Sequence, residues 1–246
     1  MAKYEQESIM PYDHEADKAC QVERMFNNIA PHYDTLNHTL SLGIDRRWRR
    51  KAIDSLSAYK PKTLLDIATG TGDFALLAAK RLQPESIVGC DISDGMMEVA
   101  REKAKVANLA CRITFQHEDC ERLSFDDEAF DAVTVAYGVR NFAHMEQGLS
   151  EMLRVLRPGG HLVILELTAP LHFPMRQLFW IYSHVVMPVV GRIISGDRLA
   201  YTYLPASMHA FPQGERMQEI LTRLGFSEVR FRRFTFGLCT MIIAEK

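Results

Sequence analysis

An α/β fold built on a seven-stranded, mostly parallel sheet follows from three features of this 246-residue chain. From residue 63 onward, short apolar runs suited to buried strands alternate with segments of helical periodicity. Helices of that length make right-handed crossovers, so successive strands pair in parallel with helices on both faces. A glycine loop, Gly70-Thr71-Gly72, follows the first run and opens the first of those helices, where backbone is able to approach a ligand closely.

Residues 1–20 are polar and without periodicity, and read as a flexible arm. Residues 21–60 carry a helical pattern interrupted by Pro31 and Gly43, predicting two or three short helices ahead of the sheet. Strands are expected over 63–68, 86–91, 113–117, 130–137 and 161–167, and helices over 74–82, 94–106 and 144–156. Arg157-Pro158-Gly159-Gly160 stops the last of those helices. Residues 170–213 form an apolar, aromatic insertion expected as a lid, followed by a helix over 214–224. Strands over 227–234 and 238–244, joined by a turn containing Gly237, predict an antiparallel hairpin at one edge. Residues 21–246 read as one domain.

Hydrophobic residues make up 47% and charged residues 24%, the balance of an ordinary globular protein. Lys+Arg 29 against Asp+Glu 31 leaves a net charge of −2, which disfavours nucleic acid as a partner. Five cysteines without a Cys-x-x-Cys argue against a disulfide framework and a zinc knuckle, and no metal is expected. The N-terminus is too polar and acidic for a secretory or transit peptide, so a cytoplasmic location is expected. The longest apolar stretch, 178–190, is broken by Ser183, His184 and Pro188 and is too short to span a bilayer. Any membrane contact is therefore peripheral and transient, and a homo-oligomer is compatible with the chain.

Asp91 lies 19 residues beyond Gly72, at the end of the second strand, where a carboxylate binds ribose hydroxyls. The spacing alone also fits a dinucleotide. Charge favours another ligand: Asp66 before the loop and Asp73 within it oppose a pyrophosphate and suit a cation such as S-adenosylmethionine. Asp73 would otherwise serve as a helix cap. Asp119 and Cys120 follow the third strand, placed to read an adenine edge. The donor-binding set is thus Asp66, Gly70, Thr71, Gly72, Asp91, Asp119 and Cys120.

The segment Leu65-Asp66-Ile67-Ala68-Thr69-Gly70-Thr71-Gly72-Asp73 resembles the donor motif of class I methyltransferases, with their Rossmann-like sheet. More narrowly, the chain resembles the C-methyltransferases of menaquinone and ubiquinone biosynthesis. Three blocks carry that narrower likeness: Tyr33-Asp34-x-x-Asn37-x-x-x-Ser41-x-Gly43 leading to Trp48, Tyr137-Gly138-Val139-Arg140-Asn141, and Arg154-Val155-Leu156-Arg157-Pro158-Gly159-Gly160 leading to Glu166. The chain departs from it in having Asp45 where His is common, Arg157 for Lys, Thr168 for Ser, Asp119-Cys120 for Asn-Ala, and Ala136 where ubiquinone-making relatives often have Ser.

The resemblance implies methyl transfer from S-adenosylmethionine to a ring carbon of a reduced, polyprenylated quinone, with demethylmenaquinol the leading acceptor and a benzoquinol of the ubiquinone pathway the alternative. A nicotinamide-dependent oxidoreductase and a non-catalytic donor-binding scaffold are the readings from other classes. Arg140 is the candidate to stabilise a developing phenolate, Asn141 to orient the ring hydroxyl, and Tyr33 and Asp34 to close over the site, with Asp34 a candidate base. His144 and His184 are left out of the site. The basic run Arg46 to Lys51 and the apolar run 178–182, with Arg176 and Arg192 nearby, are candidates for a lid that meets lipid and guides an isoprenoid tail, although the basic run also reads as a solvated helix face.

Overall fold

The computed structural model describes residues 3–12, 16–187 and 198–246. Five parallel strands, β1 (Thr63–Ile67), β2 (Ser86–Asp91), β3 (Ile113–His117), β4 (Phe130–Ala136) and β5 (Leu156–Leu167), are joined by β6 (Ser227–Phe234) and β7 (Cys239–Glu245). The sheet order is β3-β2-β1-β4-β5-β7-β6. β7 runs antiparallel to both β5 and β6, so the final hairpin folds back with its second strand inside the sheet and its first at the edge. Strand order reverses between β1 and β4, and the crevice beyond their carboxyl ends is where a ligand fits in such a sheet.

Alternation along the strands divides the core. Leu65 and Ile67 of β1 pack with Val133 and Val135 of β4 beneath α7 (Met145–Val155) and α10 (Glu215–Leu224). Leu64 faces the other way and packs with Ala132, Val163 and Leu165 against α5 (Asp73–Arg81) and α4 (Asp45–Asp54), whose Trp48, Ala52 and Ile53 are buried. α6 (Asp94–Val106) starts at Ser93, whose hydroxyl accepts from the Met96 amide at 3.2 Å.

Two expected boundaries shift. β5 begins at Leu156, so Arg157-Pro158-Gly159-Gly160 is an irregular stretch within the strand, with a register shift opposite Phe130 and Ala132. The C-terminus holds it there, because the Gly159 amide donates to the Lys246 carbonyl at 2.9 Å and the Lys246 amide to Gly160 at 3.0 Å. The segment expected as a loose arm contains a short helix, α1 (Glu5–Ser8), and its Gln6 and Glu7 are buried. Gln6 Nε2 donates to the Val139 carbonyl at 3.3 Å and Glu7 accepts from the Met145 amide at 3.0 Å, while Lys18 donates to the Gln6 carbonyl. Single polar contacts of this kind leave no periodic trace in a sequence.

Among the described residues, α1 is followed ahead of the sheet by three further helices, α2 (Lys18–Ile29), α3 (Tyr33–Leu40), reached through a 3-10 turn at Ala30–His32, and α4. The insertion contributes α8 (Met175–Ile181), extended by a π-helical turn at Tyr182–Val186, and α9 (Arg198–Ala210). Pro188 and Arg192 lie outside the described residues. Among the described residues no helix is long and apolar enough to cross a membrane.

Gly72 is the backbone pivot between β1 and α5. Its φ is +79°, and a Cβ there would sit 2.9 Å from Ala100 Cβ and 3.3 Å from the Phe115 ring. Gly72→Ala is expected to lower stability by about 1–3 kcal/mol through strain and crowding, read from urea unfolding. A midpoint equal to wild type would show that α5 and α6 yield without cost.

Candidate active site

The donor-side crevice is formed where the loops leave β1 to β4. Gly70, Asp91, Asp119 and Cys120 line it, together with Glu118, Gly138 and Phe142, and α2 covers it with Val22 and Phe26. The Asp91 carboxylate accepts from the Gly70 amide at 2.8 Å and the Ser93 amide at 2.9 Å, which fixes the loop against β2. Burial raises its pKa against the pull of those two amides. Burial also pushes the Cys120 thiol well up. Gly70 has φ +56°, and a Cβ there would meet nothing within 4 Å, so this turn leaves the crevice side open. The crevice measures about 70 Å³. Ligand pockets run to roughly 300–1,000 Å³, so the crevice as described is smaller than a bound nucleoside needs.

The other expected donor residues lie behind the loop rather than on the crevice wall. Asp66 is buried and accepts from the Thr69 and Thr134 hydroxyls, each at 2.6 Å. Thr71 is buried and donates to Asp34 at 2.5 Å. Asp73 does not cap α5: Gly72 is the N-cap, and the Asp73 carboxylate pairs with Lys103. The charge expected to repel phosphate at Asp73 is thus engaged by a lysine.

Beside this crevice lies a larger apolar cavity of about 480 Å³, walled by α2, α3, α4, α8, α9, the end of β5 and the turns following β4 and β6. Phe26, Tyr33 and Tyr137 belong to the walls of both spaces, so they form the partition between them. Arg140 is the one cationic side chain, and Asp45 the one carboxylate, among the cavity's described wall residues. Arg140 is buried; Nη1 donates to Glu166 Oε1 at 2.7 Å and to the Tyr137 carbonyl, while Nε has no hydrogen-bond partner. Burial works against the guanidinium charge, and Glu166 with Tyr33 and Tyr203 together outweigh it, holding Arg140 above the ordinary arginine range.

Asn141 lines the donor crevice and not the apolar cavity. Its Nδ2 donates to the Tyr137 carbonyl at 3.2 Å, and its Oδ1 accepts from Tyr203 of the insertion at 3.1 Å. Asp34, expected as a base, borders neither space: Lys103 donates to one oxygen at 2.8 Å and Thr71 to the other. It fastens α3 to the glycine loop. His144 and His184 lie outside both spaces. Reasoning from sequence missed Tyr137, Asp45, Tyr203 and Phe26. Tyr137 stood inside a recognised block, whereas Tyr203 and Phe26 reach the site only through packing of distant helices.

A sequence profile of the ubiE/COQ5 methyltransferase family matches residues 14–246. The chain belongs to the ubiE/COQ5 methyltransferase family. Membership makes it a methyltransferase whose methyl donor is S-adenosylmethionine. Among ubiE/COQ5 relatives, a demethylmenaquinone methyltransferase of Bacteroides fragilis is 59% identical over 243 residues, covering 99% of each chain. A ubiquinone/menaquinone biosynthesis C-methyltransferase UbiE of Geobacter sulfurreducens is 43% identical over 231 residues, 94% of this chain and 90% of its own. A SAM-dependent methyltransferase of Thermotoga maritima superposes with a TM-score of 0.64 at 16% identity, covering 91% of this chain and 99% of its own, a likeness of fold alone.

Asp66 gives this ubiE/COQ5 chain a measurable pH signature. Burial raises its pKa to about 6 from an ordinary 3.8, despite the two threonine hydroxyls that favour the carboxylate. The folded state therefore keeps this proton longer than the unfolded state does, and ionising Asp66 costs stability as pH rises from about 4 to about 6. A shift of two units corresponds to about 3 kcal/mol. Chemical denaturation of wild type and Asp66→Asn across that range should show wild type losing ground to the variant by that order. A pH-independent difference would mean that Asp66 is ionised throughout.

Proposed function

We propose that the chain transfers the methyl group of S-adenosylmethionine to a ring carbon of demethylmenaquinol, a quinol carrying a polyprenyl tail. The observation that carries this reading is the apolar cavity beside the donor crevice, with the Arg140 guanidinium on its wall. The names of relatives at 59% and 46% identity point to the same acceptor. An isoprenoid tail suits a wall of Leu, Ile, Met and aromatic side chains, and a polar quinol head suits the end where Arg140 lies.

The donor's ammonium and sulfonium groups suit a crevice bordered by Glu118, Asp119 and Asp91, whose carboxylate retains lone pairs for ribose hydroxyls. When bound, the donor supplies an electrophilic methyl. Two spaces divided by Phe26, Tyr33 and Tyr137 suit an in-line approach of ring carbon to methyl. Arg140, fixed by Glu166, places a guanidinium charge on the cavity wall that favours negative charge as it develops on the ring oxygen. Asn141, held by Tyr137 and Tyr203, acts from the donor side, and Tyr33 closes the partition from α3.

We further place the cavity mouth at a cytoplasmic membrane surface. Leu42 is 93% exposed and Leu178 54%, and both also line the cavity; Trp180, Ile181 and Val185 extend the exposed apolar face of the insertion. The basic run does not present one continuous face, because Arg49 turns inward with Trp48, leaving Arg46, Arg47 and Arg50 exposed. Flotation of the protein with vesicles containing anionic lipid should bring it to the top fraction, and Trp180→Glu with Ile181→Glu should leave it at the bottom. Unchanged flotation of that variant would remove this face from membrane binding.

Incubation with labelled methyl donor and reduced demethylmenaquinone should label the quinol, while a benzoquinol analogue should remain unlabelled; the opposite pattern would move the enzyme to the ubiquinone pathway. In the same assay Arg140→Ala should lower turnover by on the order of 10²–10³-fold with donor affinity nearly intact, and Arg140→Lys should recover part of the rate. Wild-type turnover in Arg140→Ala would remove Arg140 from the chemistry.

A further inference from the structure

Methylating a quinol ring carbon requires the adjacent hydroxyl to give up its proton, and the residues discussed so far provide no acceptor for it. Arg140 carries a charge of the wrong sign. Asp34 is paired with Lys103 outside the cavity, and both oxygens of Glu166 are engaged by Arg140 and neighbouring amides. Burial pushes the hydroxyls of Tyr33, Tyr137 and Tyr203 up, which makes their phenolates poor candidates.

Asp45 is different. It is buried at the start of α4 yet forms part of the cavity wall, next to Ser41. Its Oδ2 lies 2.9 Å from His38 Nδ1 and 3.6 Å from Arg49 Nε, and its Oδ1 accepts from Ser41 Oγ at 2.7 Å. A carboxylate in an apolar wall is unfavourable unless donors compensate it, and here three side chains converge on one. His38 is itself held between Asp45 and Asp73, whose Oδ2 lies 3.9 Å from Nε2.

We propose that Asp45 is the proton acceptor for the quinol hydroxyl, with His38 and Ser41 as positioning residues that hold its carboxylate toward the cavity. The inference rests on the quinol reading of the site. The quinol O–H proton passes to Asp45, and the ring carbon forms a bond to the donor methyl as the carbon–sulfur bond breaks. The electron pair of that bond goes to sulfur, leaving a neutral thioether. The substituted ring carbon then loses its hydrogen as a proton to water, aromaticity returns, and Asp45 gives its proton back to the ring oxygen. Atoms and charge balance, with one proton released per methyl transferred.

The charged and titratable groups facing this carboxylate and its histidine are Arg49 of α4, Asp73 of α5, Tyr137 after β4 and Cys239 of β7; behind them Tyr33 faces Arg49, and Lys103 of α6 pairs with Asp73 and with Asp34 of α3. Arg49 stacks over the Tyr137 ring at 4.8 Å, so it is fixed by packing and not only by charge.

The test is turnover against pH with reduced demethylmenaquinone and S-adenosylmethionine, and calorimetric donor binding to show that each variant is folded. Asp45→Asn should lower turnover at neutral pH by about 10²–10⁴-fold, leave donor affinity within a few-fold, and regain rate as pH rises toward ionisation of the quinol itself. Ser41→Ala and His38→Ala each remove one donor from the carboxylate. Their profiles should move the acid limb to higher pH, because a carboxylate that loses a hydrogen bond protonates sooner. An Asp45→Asn profile that overlays wild type would overturn the proposal, and so would acid limbs unmoved in both donor variants. Failure of the wild-type enzyme to methylate the quinol would sink the quinol reading, and this inference with it. Methylation by wild type with unmoved variant profiles would sink the inference alone.

Discussion

Arg140 and Glu166 place opposite charges where almost no water reaches, and the working end of the molecule is arranged around them. Their side chains meet at 2.7 Å with 6% and 0% exposure. Removing either partner would strand a buried charge, a loss of several kcal/mol. The pair therefore ties the end of β5 to the turn after β4. Glu166 also accepts from the Arg140 amide at 3.2 Å, so the same carboxylate shapes the backbone that carries the guanidinium. Tyr137, held in a left-handed conformation with φ +63°, offers its carbonyl to both Arg140 and Asn141. One short turn thus places a cation beside the apolar cavity, an amide beside the donor crevice, and an aromatic ring between the two.

A second set of charges fastens the N-terminal helices onto that frame. Lys103 of α6 meets Asp34 of α3 and Asp73 of α5, and Thr71 of the glycine loop completes the set. These residues are part-buried, so their attraction is less screened than that of a surface pair. The result joins the glycine loop and the apolar cavity mechanically: α3 carries Tyr33 in the partition and Asn37 in the cavity wall, and it is anchored directly on that loop. The carboxylates flanking the glycine loop are engaged by protein groups, Asp66 by two threonine hydroxyls and Asp73 by Lys103.

Much of this was legible in the chain itself. The parallel strands and α6 have periodicities that few other structures satisfy, and the seven-stranded sheet with its C-terminal hairpin follows from them. Gly70 and Asp91 belong to a local motif whose spacing fixes their place at the crevice. Asp66 and Thr71 enter the expected donor set, and Asp34 the candidate bases, through motifs that record which residues stand near a site and not which way their side chains turn. The first and last turn inward to hydroxyls and a lysine. Gln6, Glu7 and Lys18 escaped notice because each makes a single specific contact with backbone far away in sequence.

Sequence by itself determined the order of strands and helices, the glycine turn and the membership of the chain in its family, because all of these rest on local periodicity and on residues close together along the chain. Tertiary structure alone decided which carboxylate reaches the apolar cavity, which tyrosines divide it from the donor crevice, and which surface of the insertion stays exposed. Those outcomes depend on helices from the N-terminus, the insertion and the loop after β4 converging from positions more than a hundred residues apart. A cavity is the space such elements leave between them, and no one segment of the chain encodes it.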